Sequence, residues 1–428
     1  MAALNLSLLT KRRFAPLFVV QFLGAFNDNV LRFAMIFLAS FTLFRDHPEK
    51  SAQLGTIAAG LFMLPYFCFS SLAGQLADGM DKARLVRWIK ATEIIIMSLS
   101  LIGFWTHSVT ALLIALFFMG LHSTFFGPVK YAIIPQHLGA PEILGGTALI
   151  EAGTFIAILA GQLLGSTVTP MFAGVIATCL SLTGFITSLF IPPAPPERAH
   201  IRIELNIFKS TWAGMRRAWQ DNQIWLAILG ISWFFAAGAV LLSEFAPLVN
   251  GTLHADKSIA TLFLLVFSVS IAVGSMTINW LLKGNISTRY VPLSAYFMGA
   301  FFILFWFSTT HFKLLEEGGG IATFIASSGS WLILFALFGI AFSGGMFIVP
   351  LYAILQTHSE SGACAQTIAT NNIFNAITAV ALVALSTFQL TWGFSVPQLI
   401  GALGVETIIG ALVAYCTTFV TFGADTRP

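Results

Sequence analysis

The chain of 428 residues is 57% hydrophobic and only 9% charged, with a mean hydropathy of +0.86, against about 25% charged residues in an ordinary soluble domain. This composition excludes a soluble globular protein, and a net charge of +3 is too small to point to nucleic acid. With 42 Phe and apolar runs along its whole length, the chain reads as a polytopic membrane protein.

A helix crossing about 30 Å of hydrocarbon takes about 20 apolar residues, and about a dozen such runs lie near 14–43, 52–76, 86–105, 109–134, 143–167, 170–191, 222–249, 259–282, 290–309, 327–354, 364–388 and 397–422. Lipid admits only helices or closed barrels, because every backbone polar group must be satisfied internally, and runs this long are helices. The expected fold is therefore all-α. The first run has no small-residue cleavage site and contains Asp28, so it is expected to stay in the mature protein. Within it, "FLGAFNDNVLRFA" (22–34) sets Asn27, Asp28, Asn29 and Arg32 among apolar neighbours. Counted from Arg13, Asp28 lies roughly 22 Å up a helix, near the bilayer midplane. A charge there costs about 2.5–3.5 kcal/mol and faces a pathway or a partner. Arg32, four residues on, shares its helical face and can pair with it. Asn27 and Asn29 offer donors and acceptors to a ligand or to a neighbouring helix.

The loop after the second run reads "GQLADGMDKARLV" (74–86), with Gly74, Asp78, Lys82 and Arg84. In the fourth run Lys130 stands two residues after Pro128; it snorkels to the interface or captures a phosphate. His122, deeper in the same run, reads as a hydrogen-bonded core histidine. Glu151 in the fifth run falls near the depth of Asp28 and can receive an ammonium group, carry a proton or pack helices. The polar stretch from Pro192 to Asp221, opening "PPAPPERAH", divides the runs six and six: a bundle over 1–191, a linker over 192–221 and a bundle over 222–428. "FFGPVKYAIIPQ" in the fourth run is echoed by "MFIVPLYAILQ" in the tenth, with Pro128 and Pro350 at matching places. "LRFA" (31–34) likewise aligns with "SEFA" (243–246), which makes Arg32 and Glu244 equivalent and a candidate gating pair. Parallel repeats of this kind build transporters of the major facilitator type. Gln356, Gln366, Asn371, Asn372 and Asn375 make the tenth and eleventh runs polar without charge.

Most of the 21 cations fall on one side: Lys11, Arg12, Arg13, Lys82, Arg84, Arg87, Lys90, Lys130, Arg198, Arg202, Lys209, Arg216, Arg217, Lys283, Arg289 and Arg427. Arg45, Lys50, Lys257 and Lys313 fall on the other. The positive-inside rule then puts both termini in the cytoplasm. Cys68, Cys179, Cys364 and Cys416 lack paired ligand spacing and read as core thiols, with no metal site and no disulfide.

The loop's Gly74, Asp78, Lys82 and Arg84 resemble the major facilitator motif G-x-x-x-D-R/K-x-G-R/K-R/K, departing at Gly79, Asp81 and Ala83. "QFLGAFNDN" (21–29), "GPVKYAIIP" (127–135), "ALIEAGTFIAILAG" (148–161) and "GGMFIVPLYAILQ" (344–356) are similar to the lysophospholipid transporter family of that superfamily, found in Gram-negative bacteria. They are similar also to the transporter half of acyltransferase-fused chains. The resemblance implies 12 transmembrane helices in two pseudo-symmetric six-helix bundles. It implies secondary, non-ATP transport of lysophospholipids inward across the bacterial inner membrane by alternating access. Substrate-binding residues are then expected at Asp28, Asn29, Arg32, Lys130, Glu151, Gln356 and Asn375, and gating residues at Gly74, Asp78, Lys82, Arg84, Arg32 and Glu244. The chain runs to Pro428 with no acyltransferase stretch, so re-acylation is expected of a separate cytoplasmic acyltransferase. Membrane lipids are the other expected partners, with a monomeric protein and no cofactor.

The competing reading is a proton-coupled exporter of a polar small molecule, such as a siderophore or drug, with Asp28 or Glu151 titrating. Against it, "GTFIAILAGQLLGSTVTP" in the fifth run lacks the Gly-Pro pair typical of antiporters. No H-E-x-x-H, G-x-S-x-G or Gly-rich phosphate loop with a Lys is present, which argues against an enzyme. No re-entrant filter interrupts the runs, which argues against a channel.

Overall fold

The computed structural model describes residues 5–44, 48–197, 203–312 and 319–422. Arg45, Arg198, Arg202, Lys313, Arg427 and the side chain of Cys416 lie outside the described residues. Among the described residues fourteen α-helices follow one another: α1 (Ala15–Leu38), α2 (Pro48–Gly79), α3 (Lys82–Trp105), α4 (Val109–His137), α5 (Ala140–Thr167), α6 (Pro170–Ser188), α7 (Ile207–Gln220), α8 (Asn222–Pro247), α9 (Ser258–Leu282), α10 (Val291–Thr310), α11 (Ile321–Ala326), α12 (Ser330–His358), α13 (Cys364–Thr391) and α14 (Val396–Phe422). Ten of them are long and apolar enough to cross a membrane. Outside that set, α1 and α3 have 24 residues each, about 36 Å at 1.5 Å per residue, and both carry ionisable side chains in mid-helix. Counting both, the spanning helices number twelve, as the hydropathy runs predict.

Local sequence sets the helix ends. Asp81 caps α3 by accepting from Arg84 N at 2.9 Å, and Ser108 caps α4 by accepting from Ala111 N at 3.3 Å; each satisfies a backbone donor that the first turn leaves open. Lys283 ends α9 in the left-handed region at φ 52°.

The chain packs as two compact units, residues 1–225 with 353–376, and residues 226–352 with 377–428. In the first, α1 lies against α5 and α6, α3 against α4 and α6, and α2 against α4. Its interior is filled by Val30, Leu31 and Met35 of α1, Met97 and Phe104 of α3, Leu116 and Met119 of α4, and Ala177 of α6. Lipid tails are as apolar as leucine, so close packing rather than exclusion from water holds such helices together, and small residues allow it. A Cβ at Gly120 on α4 would stand 2.3 Å from the Phe62 carbonyl oxygen of α2.

The second unit repeats this device. A Cβ at Gly345 on α12 would stand 2.3 Å from the Ile271 carbonyl oxygen of α9. The second and fourth spans of each half thus meet backbone to backbone. The first span of each half also runs out into a single π turn, Ala39–Leu43 after α1 and Leu248–Thr252 after α8. In this unit α10 lies against α14, and Phe263 holds edge-to-face contacts with Phe245, Phe305 and Phe324 at centroid separations of 5.6, 6.1 and 5.9 Å. The chain order suggests six helices and six, whereas packing assigns the end of α12 and the start of α13 to the first unit.

Candidate functional site

Successive helical residues point about 100° apart, so the polar run of α1 addresses four neighbouring helices. Fully buried Asn27 donates from Nδ2 to Glu93 Oε1 on α3 at 2.8 Å and to the Ala177 carbonyl on α6 at 3.3 Å. Asp28 accepts from Ser123 Oγ on α4 at 2.8 Å. Asn29 donates to the Ala25 carbonyl of its own helix at 2.8 Å and accepts from Gln162 on α5 at 3.4 Å. The intrahelical Asp28–Arg32 pair that the spacing allows does not form. Asp28 turns to Ser123 instead, leaving its Oδ1 buried without a partner, and Arg32 Nε is buried without one too.

Lys130 and Glu151 extend this polar surface along α4 and α5. Buried Glu151 accepts from the Tyr131 hydroxyl, and Lys130 Nζ lies 4.7 Å from the Tyr131 ring centroid. Lys130 is within electrostatic reach of both Glu151 and Asp28, and Ser123 and Tyr131 are about 12 Å apart along α4. One helix therefore holds the partners of both carboxylates with a cation between them. Gln356 joins one turn below Glu151, where it exchanges hydrogen bonds with Thr147 at 3.0 and 3.2 Å. Asn375 is half-buried on α13. In the same stretch Asn371 is fully buried with neither side-chain oxygen nor nitrogen partnered. Glu244, equivalent to Arg32 by the repeat, lies in α8 of the second unit with Oε2 buried and unpartnered.

A buried ionic cluster behind Asp28 escapes the sequence reading. Lys90, counted with the cytoplasmic-side cations, is fully buried, with Nζ 2.6 Å from Glu93 Oε2. His122 Nε2 stands 3.3 Å from the same oxygen, off the direction of a hydrogen bond, and its Nδ1 has no partner. The ring stacks on Phe126 at 6.2 Å. Glycine at position 24 makes room, since a Cβ there would stand 2.8 Å from Lys90 Nζ. The signal was present as Lys and Glu three apart where α3 turns apolar, the spacing at which side chains meet.

The loop motif forms a second centre. Buried Asp78, near the end of α2, caps the start of α13: Oδ1 accepts from Ala365 N and Oδ2 from Gln366 N, both at 3.0 Å, and Gln366 Nε2 adds a contact at 3.3 Å. A carboxylate at a helix N-terminus satisfies open backbone donors and meets the positive end of the dipole. Gly74, one turn earlier, permits the approach, because a Cβ there would stand 2.7 Å from Ala369 Cβ and 2.8 Å from Gln366 Cα. Lys82 is buried and donates its backbone N–H to the Ala194 carbonyl at 2.9 Å. Arg84 contributes its backbone N–H to the Asp81 cap and leaves its side chain exposed. The departure from the motif at position 81 therefore has a structural role: Asp81 caps α3 and also accepts from Ala194 N at 3.2 Å.

The linker adds a tie that no sequence signal announced. Glu197 accepts from Gly362 N at 2.7 Å, Ser361 Oγ at 3.0 Å and Gln136 Nε2 at 3.2 Å. Partial burial opposes its ionisation, but these donors and the field of Lys82 prevail and hold the carboxyl below the usual range.

The family model described as Major Facilitator Superfamily matches residues 17–383. Lysophospholipid transporters LplT of Yersinia pestis and Yersinia pseudotuberculosis are each 25% identical to the chain over 368 residues, covering 82% of this chain and 80% of theirs. Among solved structures, the human organic anion transporter MFSD10 superposes with a TM-score of 0.74 at 14% identity, covering 94% of this chain and 98% of its own. The Escherichia coli fucose:proton symporter superposes with 0.67 at 13%, with the same coverage. An outward-facing bacterial homologue of the iron transporter ferroportin superposes with 0.68 at 13%, covering 95% and 99%. These relatives are transporters rather than enzymes. From its twelve spans, its repeated glycine contacts and the match across most of its length, the chain is a multi-pass membrane transporter that belongs to the major facilitator superfamily.

Proposed function

We propose that this protein carries lysophospholipids inward across the bacterial inner membrane, supplying a cytoplasmic acyltransferase. The observation that carries the reading is the set Asp28, Lys130 and Glu151 in this chain, and the 25% identity to lysophospholipid transporters LplT over 82% of the chain supports it. A zwitterionic head group needs an anion for its ammonium and a cation for its phosphate. Asp28 has a free, buried Oδ1, and Lys130 stands on the same helix as Asp28's partner Ser123. Arg32 offers a second cation to the phosphate, Asn29 adds a donor and an acceptor beside Asp28, and Gln356 and Asn375 are offered as polar contacts from the later helices.

Transport by alternating access needs contacts that one state makes and the other breaks. The cap of Asp78 on α13, seated by Gly74 and braced by Lys82 and the Asp81–Arg84 turn, is proposed as such a contact. The cation distribution supports placing it, and both termini, on the cytoplasmic side. Arg32 and Glu244 are proposed as a gate on the opposite side; a charge-reversed double variant that transports no better than either single variant removes that assignment.

The test is uptake of labelled lysophosphatidylethanolamine by proteoliposomes. Flux equal to that of empty liposomes overturns the substrate while leaving the family intact. The proton-coupled exporter reading has one observation in its favour, the buried Glu151 bonded to Tyr131, a carboxyl able to hold a proton. Absence of lysophosphatidylethanolamine flux together with polar-solute flux that collapses without a pH gradient selects that reading.

A further inference from the structure

We propose that α7 is an interfacial helix that rests on anionic diacyl phospholipid. Its aromatic stripe enters the acyl boundary, and Lys209 and Arg216 meet the lipid phosphates. This inference is independent of the transported substrate. Phe208, Trp212, Met215 and Trp219 recur at intervals of four, three and four residues, which places them on one face of a helix. That face is largely exposed: Phe208 is 89% exposed, Trp212 65% and Trp219 68%. Lys209 and Arg216 fall along one edge of the stripe and are exposed. Lys209 shares its charge with Glu204 at 2.7 Å, and among the described residues Arg216 makes no ion pair.

The other face of α7 is occupied. Ala218 is buried, and a Cβ at Gly214 would meet Thr370 Oγ1 at 2.6 Å. Arg217 donates to Gln366 Oε1 at 3.3 Å. The helix is thus fixed to the first unit with its aromatic stripe turned outward.

Its depth follows from what comes next in the chain. Asp221 accepts from Gln223 N at 2.8 Å and Ile224 N at 3.1 Å, starting the spanning helix α8 immediately after α7 ends. Trp219 stacks on Trp225 of α8 at 5.1 Å, and Trp225 meets Phe374 edge-on at 5.2 Å. Trp at the end of a span marks the head-group level. A helix at that level with an aromatic face and an adjoining cationic edge has the composition of a surface-lying amphipathic helix, which gains from apolar insertion and from attraction to anionic lipid together. A protein partner would have to displace lipid to reach the stripe.

Two measurements decide it. In a chain whose four native cysteines are serine, spin labels at Trp212→Cys and Arg216→Cys are compared in nanodiscs containing phosphatidylglycerol. The label at 212 is expected to collide at least threefold more with oxygen than with a water-soluble nickel chelate, and the label at 216 to show the reverse. Equal access of both labels to the chelate overturns the interfacial placement. Native mass spectrometry then counts retained lipid. The Lys209→Gln/Arg216→Gln chain is expected to retain at least threefold less phosphatidylglycerol and unchanged phosphatidylcholine. Equal phosphatidylglycerol retention overturns the anionic preference, and displacement of that lipid by added lysophosphatidylethanolamine assigns it to the transport path instead. The substituted side chains are exposed, and the single-label variants keep the placement testable if the double variant fails to fold.

Discussion

Asp28 shows how a residue's neighbours, rather than its own helix, choose its partner. An i, i+4 ion pair on a helix contributes about 0.2–0.5 kcal/mol, too little to hold Asp28 once a hydroxyl on α4 is within 2.8 Å. If Asp28 and Lys130 bind one head group, Asp28→Asn and Lys130→Gln are each expected to lower lysophosphatidylethanolamine uptake at least tenfold. Their combination is expected to cost less than the product of the two losses, because the residues act on one ligand; initial rates in proteoliposomes read this. The Lys90–Glu93 pair lies in the protein interior, where removing one partner leaves an uncompensated charge. Glu93→Gln is expected to destabilise the protein by about 3–5 kcal/mol, and Lys90→Met/Glu93→Leu to recover much of the loss. Thermal unfolding in detergent measures both.

At the scale of elements, the loop-end ties decide which helices move together. Asp78→Asn and Gly74→Val are expected to loosen α13 from α2. The distance between spin labels at Arg84→Cys and His358→Cys should then lengthen or broaden, read by pulsed electron resonance. Glu197 gives the pH dependence. A carboxyl held below its ordinary value contributes stability that is fully present above the unfolded value of about 4.3 and is lost as pH falls through the lowered one. The same label distance is therefore expected to change as the Glu197 carboxyl is protonated in strong acid. In Glu197→Ala it should already be changed at neutral pH.

At the scale of the whole molecule, the two halves share construction details that composition alone does not reveal. The Gly120 and Gly345 contacts leave no room for a side chain, so Gly120→Val is expected to abolish folded protein, or to lower its melting temperature by several degrees in size-exclusion and thermal-shift assays, through a clash with backbone that cannot yield. The all-helical class, the twelve spans, the repeat and the polar positions of α1, α4 and α5 were legible in the sequence, because bilayer thickness and backbone satisfaction restrict a chain of this composition to few solutions. Lys90, counted with the cytoplasmic-side cations, proved to be buried: position along a span reports depth, and only packing reports which way a side chain faces. The role of Asp81, the reach of Glu197 to Gly362 and the shift of residues 353–376 into the first unit likewise depend on contacts between segments far apart in the chain. Hydropathy and periodicity act residue by residue along a helix, so the sequence by itself determined what spans and what is polar. Which polar group meets which depends on helix rotation and on approach distances set by small residues, and those only the tertiary structure decided.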